Sequence, residues 1–184
     1  MEYGSIFGHG AYLGPDYTAD YLRRSSDSVR NQLGGDQSDS ARQQTISQFQ
    51  DNRYEADTGT LPLSAEQARA FGELRAHYGR FFGDPTTRFG LRPDAITAPD
   101  EIQQLTAFFA WSSWAASARR PDHNYSYTNN WPSEPGVGNE PSANVVVYSV
   151  VSLIALLGGI GILFALFGRW RLGWQGREQA TLSF

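Results

Sequence analysis

The chain has 184 residues, a net charge of −4, a mean hydropathy of −0.44, 14% aromatic residues and no cysteine. Without cysteine there are no disulfides, no thiolate metal sites, no CxxC redox chemistry and no covalent haem attachment through CxxCH. Every basic residue is an arginine and no arginine run exceeds two, which argues against nucleic-acid binding by phosphate neutralisation.

The length suits one domain plus an appendage. Met1–Gly14, MEYGSIFGHGAYLG, is rich in glycine and aromatics. It lacks a basic stretch leading into an apolar one, so it does not read as a secretory signal. It reads as the middle of a loop; either the chain inserts N-out unaided or an upstream membrane segment has been cut away, and the loop-like start favours the second. From Pro15 to about Leu33 the spacing predicts a helix, with Pro15 at its first position and Tyr17, Tyr21, Leu22, Val29 and Leu33 on one face. Gly34-Gly35 stops it. A second, polar helix is expected from Ser38 to about Ala56. Its thin stripe of Ile46, Phe49 and Tyr54 suits a surface position.

Thr58–Pro62 reads as a turn. Ser64-Ala65-Glu66-Gln67 fits a capping box, and Ala68, Phe71, Leu74, Tyr78 and Phe82 follow at helical spacing. Gly83-Asp84-Pro85 ends that helix, and Phe89–Ile96 is a loop. The next helix starts at Thr97–Asp100 with Pro99 in its first turn. Its apolar residues Ile102, Leu105, Phe108, Phe109, Trp111 and Ala115 predict a broad, mostly buried face.

Arg119–Ser142 has no period. It is long for a structureless loop, which marks a functional or interfacial segment. Tyr125, Tyr127, Asn129, Asn130 and Trp131 make it a candidate docking surface, because Tyr and Trp combine ring area with a polar tip. The alternative is a flexible linker, a role that such aromatic content does not fit. The segment is expected to pack on helices outside this sequence.

Val145–Gly168 holds 24 residues without a charge. At ~1.5 Å per residue it spans roughly 36 Å, more than the ~30 Å hydrocarbon core, and so predicts a transmembrane helix. Gly158, Gly159 and Gly161 form a small-residue notch for another helix, or are simply tolerated there. Arg169, Arg171 and Arg177 follow the run, whereas the nearest preceding charge is Glu140. The positive-inside rule puts the C-terminus in the cytoplasm and the domain outside, with Trp131 and Tyr148 at one interface and Trp170 and Trp174 at the other.

The three histidines, His9, His77 and His123, are far apart and show no metal-ligand spacing. His9 reads as a loop residue between glycines, His77 as a half-buried or surface helix residue, His123 as solvated. Asp16, Asp20, Asp51, Glu55 and Asp57 read as helix-start or surface groups. There is no nucleophile elbow, P-loop or GxGxxG, so no catalytic residue is assigned.

Three stretches resemble the quinol-dependent nitric oxide reductases of bacteria: Gly4–Arg24 (GSIFGHGAYLGPDYTADYLRR), Phe108–Asn139 (FFAWSSWAASARRPDHNYSYTNNWPSEPGVGN) and Val145–Trp174, which includes LLGGIGILFALFGRWRLGW. Ser126–Pro132, SYTNNWP, is the most specific part. The resemblance implies a single-chain enzyme that reduces two NO to N2O with electrons from quinol. It implies a mainly α chain: a cytochrome c-like helical domain that has lost its haem (residues 1–120), an aromatic docking segment (121–144), a transmembrane helix (145–168) and a cytoplasmic tail or truncated loop (169–184). Haem b and non-haem iron would be held by histidines beyond Phe184, leaving no cofactor in this chain.

By the same resemblance, Gly10 and Tyr12 match a segment that lies near a calcium ion in related enzymes, and backbone carbonyls suit calcium. The alternative is that they only shape and pack the loop. The implied partners are the remaining helices of the reductase, the bilayer, and quinol through the full enzyme; the implied place is the bacterial inner membrane. Two functions stay open: part of such a reductase, inactive alone, or a stand-alone membrane-anchored binding or assembly protein derived from one.

Overall fold

The computed structural model describes residues 16–35, 38–83, 92, 94–141 and 143–170. Among them are five α-helices, one short 3-10 turn and no strand: α1 (Tyr17–Leu33), α2 (Asp39–Gln50), α3 (Ala65–Gly83), α4 (Pro99–Ser117), the 3-10 turn Pro135–Val137 and α5 (Ala143–Trp170). The chain divides into two compact units, residues 1–141 and 142–184.

In the first unit α1 is central and packs on α2, α3 and α4. It starts two residues after the expected Pro15. Asp16 stays extended and its carboxylate accepts from the Thr18 and Ala19 N–H groups, satisfying two of the donors that a helix start leaves open. Tyr17, Tyr21, Leu22 and Val29 are buried as the spacing predicts. At the other end the Gly34 N–H returns to the Arg30 carbonyl, with φ at 134°, a conformation open to glycine.

Ser38 caps α2 through the Ala41 N–H. This helix ends at Gln50, six residues short of the expected Ala56. The reason is tertiary: the Asn52 side chain turns to the Arg119 carbonyl (3.1 Å) and the Tyr127 hydroxyl (2.9 Å), so 52–54 run extended into an antiparallel pairing of Glu55 with Thr60. Tyr54 is therefore off the helix and exposed. The capping box of α3 forms in both directions, Gln67 N–H to Ser64 Oγ at 3.1 Å and Ser64 N–H to Gln67 Oε1 at 3.0 Å. Ala70, Leu74, Tyr78 and Phe82 face inward; Ala68 is exposed.

The expected face of α4 is wrong in part. Phe108 and Trp111 point outward, 40% and 49% exposed, stacked on each other with centroids 6.0 Å apart. The buried side carries Ile102, Thr106, Phe109, Ser112, Ser113, Ala115 and Ala116. Small hydroxyl residues let α4 come close to α1, and they bond across: Thr18 Oγ1 to Ser112 Oγ at 3.1 Å, and Ser113 Oγ to the Thr18 carbonyl at 3.0 Å. A ring as large as Phe108 or Trp111 on that side would hold the backbones apart.

Two apolar clusters result. Tyr17, Tyr21, Leu74, Tyr78, Phe82, Ile102 and Phe109 form the larger, between α1, α3 and α4. Leu22, Val29, Phe49, Ala70 and Val137 form the smaller. Burial and the nearby Asp20 charge push the Tyr17 phenol up to about 12, and burial raises Tyr21 and Tyr78 as well.

The second unit contains α5. Its 28 residues are apolar on every side between Val145 and Gly168, and none is buried in the chain. At ~1.5 Å per residue the helix is about 42 Å long, two residues longer at each end than the uncharged run. It is long and apolar enough to cross a membrane.

Candidate functional site

The aperiodic segment after α4 is the part of the first unit with the most unusual construction. It does not hang free: residues up to Pro141 belong to the same compact unit as α1–α4. The Arg119 N–H donates to the Gln50 carbonyl (3.0 Å) and the Tyr127 N–H to the Ala115 carbonyl (3.1 Å). Gln50 Nε2 donates to the Val137 carbonyl at 3.0 Å, and Val137 is fully buried in the smaller cluster. Backbone and side-chain groups along the segment thus bond within its own domain, while residues such as Tyr127, Asn129 and Trp131 stay exposed.

Its shape comes from polar side chains bonded to backbone. Arg119 and Ser126 pair as an isolated antiparallel bridge, as do Glu134 and Asn139. Asn129 and Asn130 take left-handed conformations, φ 55° and 61°, which asparagine tolerates better than most residues. The Asn130 amide accepts from the Ser126 N–H (2.9 Å) and donates to the Glu140 carbonyl (2.9 Å). Asn139, 2% exposed, donates to the Pro132 carbonyl. The Trp131–Pro132 peptide bond is cis.

The five sequence-predicted residues separate by role. Asn130 is half-buried and turned inward as the clamp just described. Tyr125 is half-buried, with its ring stacked on His123 at 4.7 Å. Tyr127 (38% exposed), Asn129 and Trp131 (45% exposed) present surface. Gly10 and Tyr12 lie outside the described residues. Sequence reasoning missed Gln50, Asn52, Ser126 and Asn139, which fix the segment. Turn chemistry in Ser126–Pro132 was the available signal, but the partners of those amides are distant in sequence.

Metal-ligating side chains stand apart in the described part. No three of His, Cys, Asp and Glu converge there. His77 on α3 lies edge-on to Tyr78 at 5.1 Å, and burial, with Arg24 nearby, lowers its pKa. His123 is exposed. A cavity bounded by Tyr21, Phe49, Leu63, Trp114 and neighbours measures about 40 Å3, room for a water or two and far too small for a haem. Instead, stacked rings fill the interior, Tyr17 on Phe109 at 4.7 Å and Phe109 against Tyr78 at 5.0 Å.

A search of curated proteins finds no match to the chain. A family model does match over residues 1–133: the cytochrome c-like domain of NorB, a nitric oxide reductase subunit. That range holds α1–α4 and the aromatic turn through Pro132, and so nearly the whole first unit. The chain therefore belongs to the NorB family of nitric oxide reductase subunits, with its first unit as the cytochrome c-like domain.

Proposed function

We propose that this chain contributes the extracytoplasmic structural domain and the first helix of the catalytic bundle to a quinol-dependent, single-chain nitric oxide reductase of the bacterial inner membrane, and is inactive alone. The observation that carries the reading is the sequence of parts: the matched domain ends at residue 133 and the apolar helix begins at Ala143. The likeness to quinol-dependent enzymes also runs on through Val145–Trp174, past the matched domain. Haem b and non-haem iron belong to helices outside this sequence. The arginines after α5 favour a cytoplasmic C-terminus. Calcium beside Gly10 and Tyr12 rests on the resemblance alone.

The domain's task in this reading is to dock. Tyr127, Asn129 and Trp131 form the docking face, and Asn130 and Asn139 hold it in shape. Trp131→Ala in the full-length reductase is expected to remove roughly 2–4 kcal/mol of docking free energy. Yield and haem content should fall while activity per haem stays level. Normal yield and haem content with lost turnover would assign the face to electron or substrate delivery. No change in any of the three would make it a linker.

A further inference from the structure

We infer that the outward face of α4 is a seam for a second copy of this chain, the two helices packing antiparallel about a two-fold axis between Phe108 and Trp111. The inference does not rest on the family reading. Phe108 and Trp111 are 40% and 49% exposed and stack on each other. The serines and threonine on the opposite side hold α4 close to α1, which leaves no room for either ring there. Two adjoining exposed rings on one helix form a patch of the kind that anchors the centre of an interface.

Spacing makes the patch a seam. Glu101, Gln104, Phe108 and Trp111 recur at three, four and three residues, the pattern of a stripe that meets a facing helix, and all four are exposed. The stripe changes chemistry along its length. Asp100 and Glu101 stand at its start, the rings in its middle, and Arg119 just past its end. All three charged residues are exposed, and none is in an ion pair among the described residues.

That order commits the face to its own copy. At ~1.5 Å per residue, Glu101 lies about 13 Å before the midpoint of the two rings and Ala118 about 13 Å after it. An antiparallel copy therefore sets Phe108 against the partner's Trp111 and brings Asp100 and Glu101 to the partner's Arg119. The two-fold axis repeats each contact, so one face supplies both halves of a self-complementary interface. A parallel copy would oppose like charges at both ends. A different protein would have to carry the same order of acid, ring and base in reverse.

The test measures self-association of the full chain in mild detergent, by sedimentation in density-matched micelles. Wild type should show a concentration-dependent equilibrium between monomer and dimer. Trp111→Ala should raise the dissociation constant roughly tenfold. Glu101→Arg should raise it roughly fivefold through two repelling contacts, and Glu101→Arg/Arg119→Glu should return it to within about threefold of wild type. A wild type that stays monomeric overturns the proposal. So does a dimer that Trp111→Ala leaves unchanged, which would place association on another surface such as α5. Failure of the charge swap to restore association overturns the antiparallel copy and leaves the face to a different protein. Should Trp111→Ala fail to fold, the charge reversal and its swap decide alone, since both positions are exposed.

Discussion

The interior between α1, α3 and α4 and the segment 119–141 lie in one compact unit and are held by opposite means. The interior coheres through ring area: Tyr17, Tyr78, Phe82 and Phe109 pack at centroid distances of 4.7–6.5 Å. That attraction is non-directional and spread over many atoms. The segment 119–141 coheres through a few directional bonds in which one carboxamide serves two backbone groups, as Asn130 does for Ser126 and Glu140. Damage to the interior should therefore weaken the whole unit, whereas damage to the segment should stay local. The segment can then present Trp131 and Asn129 outward because its order does not depend on burying them.

The largest effect is expected in the ring core. Phe109 is fully buried between Tyr17 and Tyr78. Phe109→Ala should cost about 3–5 kcal/mol, read by urea unfolding of the full chain in mild detergent followed by near-ultraviolet circular dichroism. A loss below about 1 kcal/mol would mean that rings are not what holds α1, α3 and α4 together. Next comes Asn139→Ala, which leaves the Pro132 carbonyl without its donor in a buried place. About 1–3 kcal/mol is expected. Hydrogen exchange should quicken over residues 126–139 and not in α1 or α4; equal loss of protection in those helices would remove the distinction between the two regions.

The smallest effect separates the regions by pH. His77 sits on the interior's margin, and its pKa is lowered from 6.5, first by burial and then by Arg24; Asp20 opposes the shift and Arg80 adds to it. The unfolded chain thus takes up the proton first. Stability is full above pH 6.5 and falls as pH drops from there through the lowered folded value. His77→Gln should flatten that acid slope by a modest amount, since the ring is only half-buried. The segment 119–141, whose His123 is exposed, should show no matching change in exchange rates. An unaltered slope in His77→Gln would place the acid sensitivity elsewhere.

Helix starts were legible for α2, α3 and α4, where the start signal is local, whereas α1 starts behind its Asp16 cap and not at Pro15. Ser38, the Ser64–Gln67 box and Pro99 act within three residues of their own position, and all three stand at helix starts as read. Helix faces were legible for α1 and α3, where aromatic and aliphatic residues recur at three and four. They failed for α4, since Phe108 and Phe109 are equally apolar and only the closeness of α1 decides which is inside. Within 119–141, Tyr127, Asn129 and Trp131 could be singled out by residue type. The inward turn of Asn130 could not, because its partners include a carbonyl ten residues away.

The amino-acid sequence alone determined the helical character, the lack of thiol chemistry, the apolar span and the kinship with nitric oxide reductases. Each follows from composition, short-range spacing or matching stretches, none of which needs knowledge of distant contacts. Only the tertiary structure decided that α2 stops at Gln50, that α4 turns serines and threonine inward, and that the aromatic segment is built into the domain by Gln50, Asn52, Asn130 and Asn139. The physical reason is that a hydrogen bond or a close helix crossing is worth its energy only when both partners arrive. Those partners stand up to 94–95 residues apart, as Thr18 does from Ser112 and Ser113.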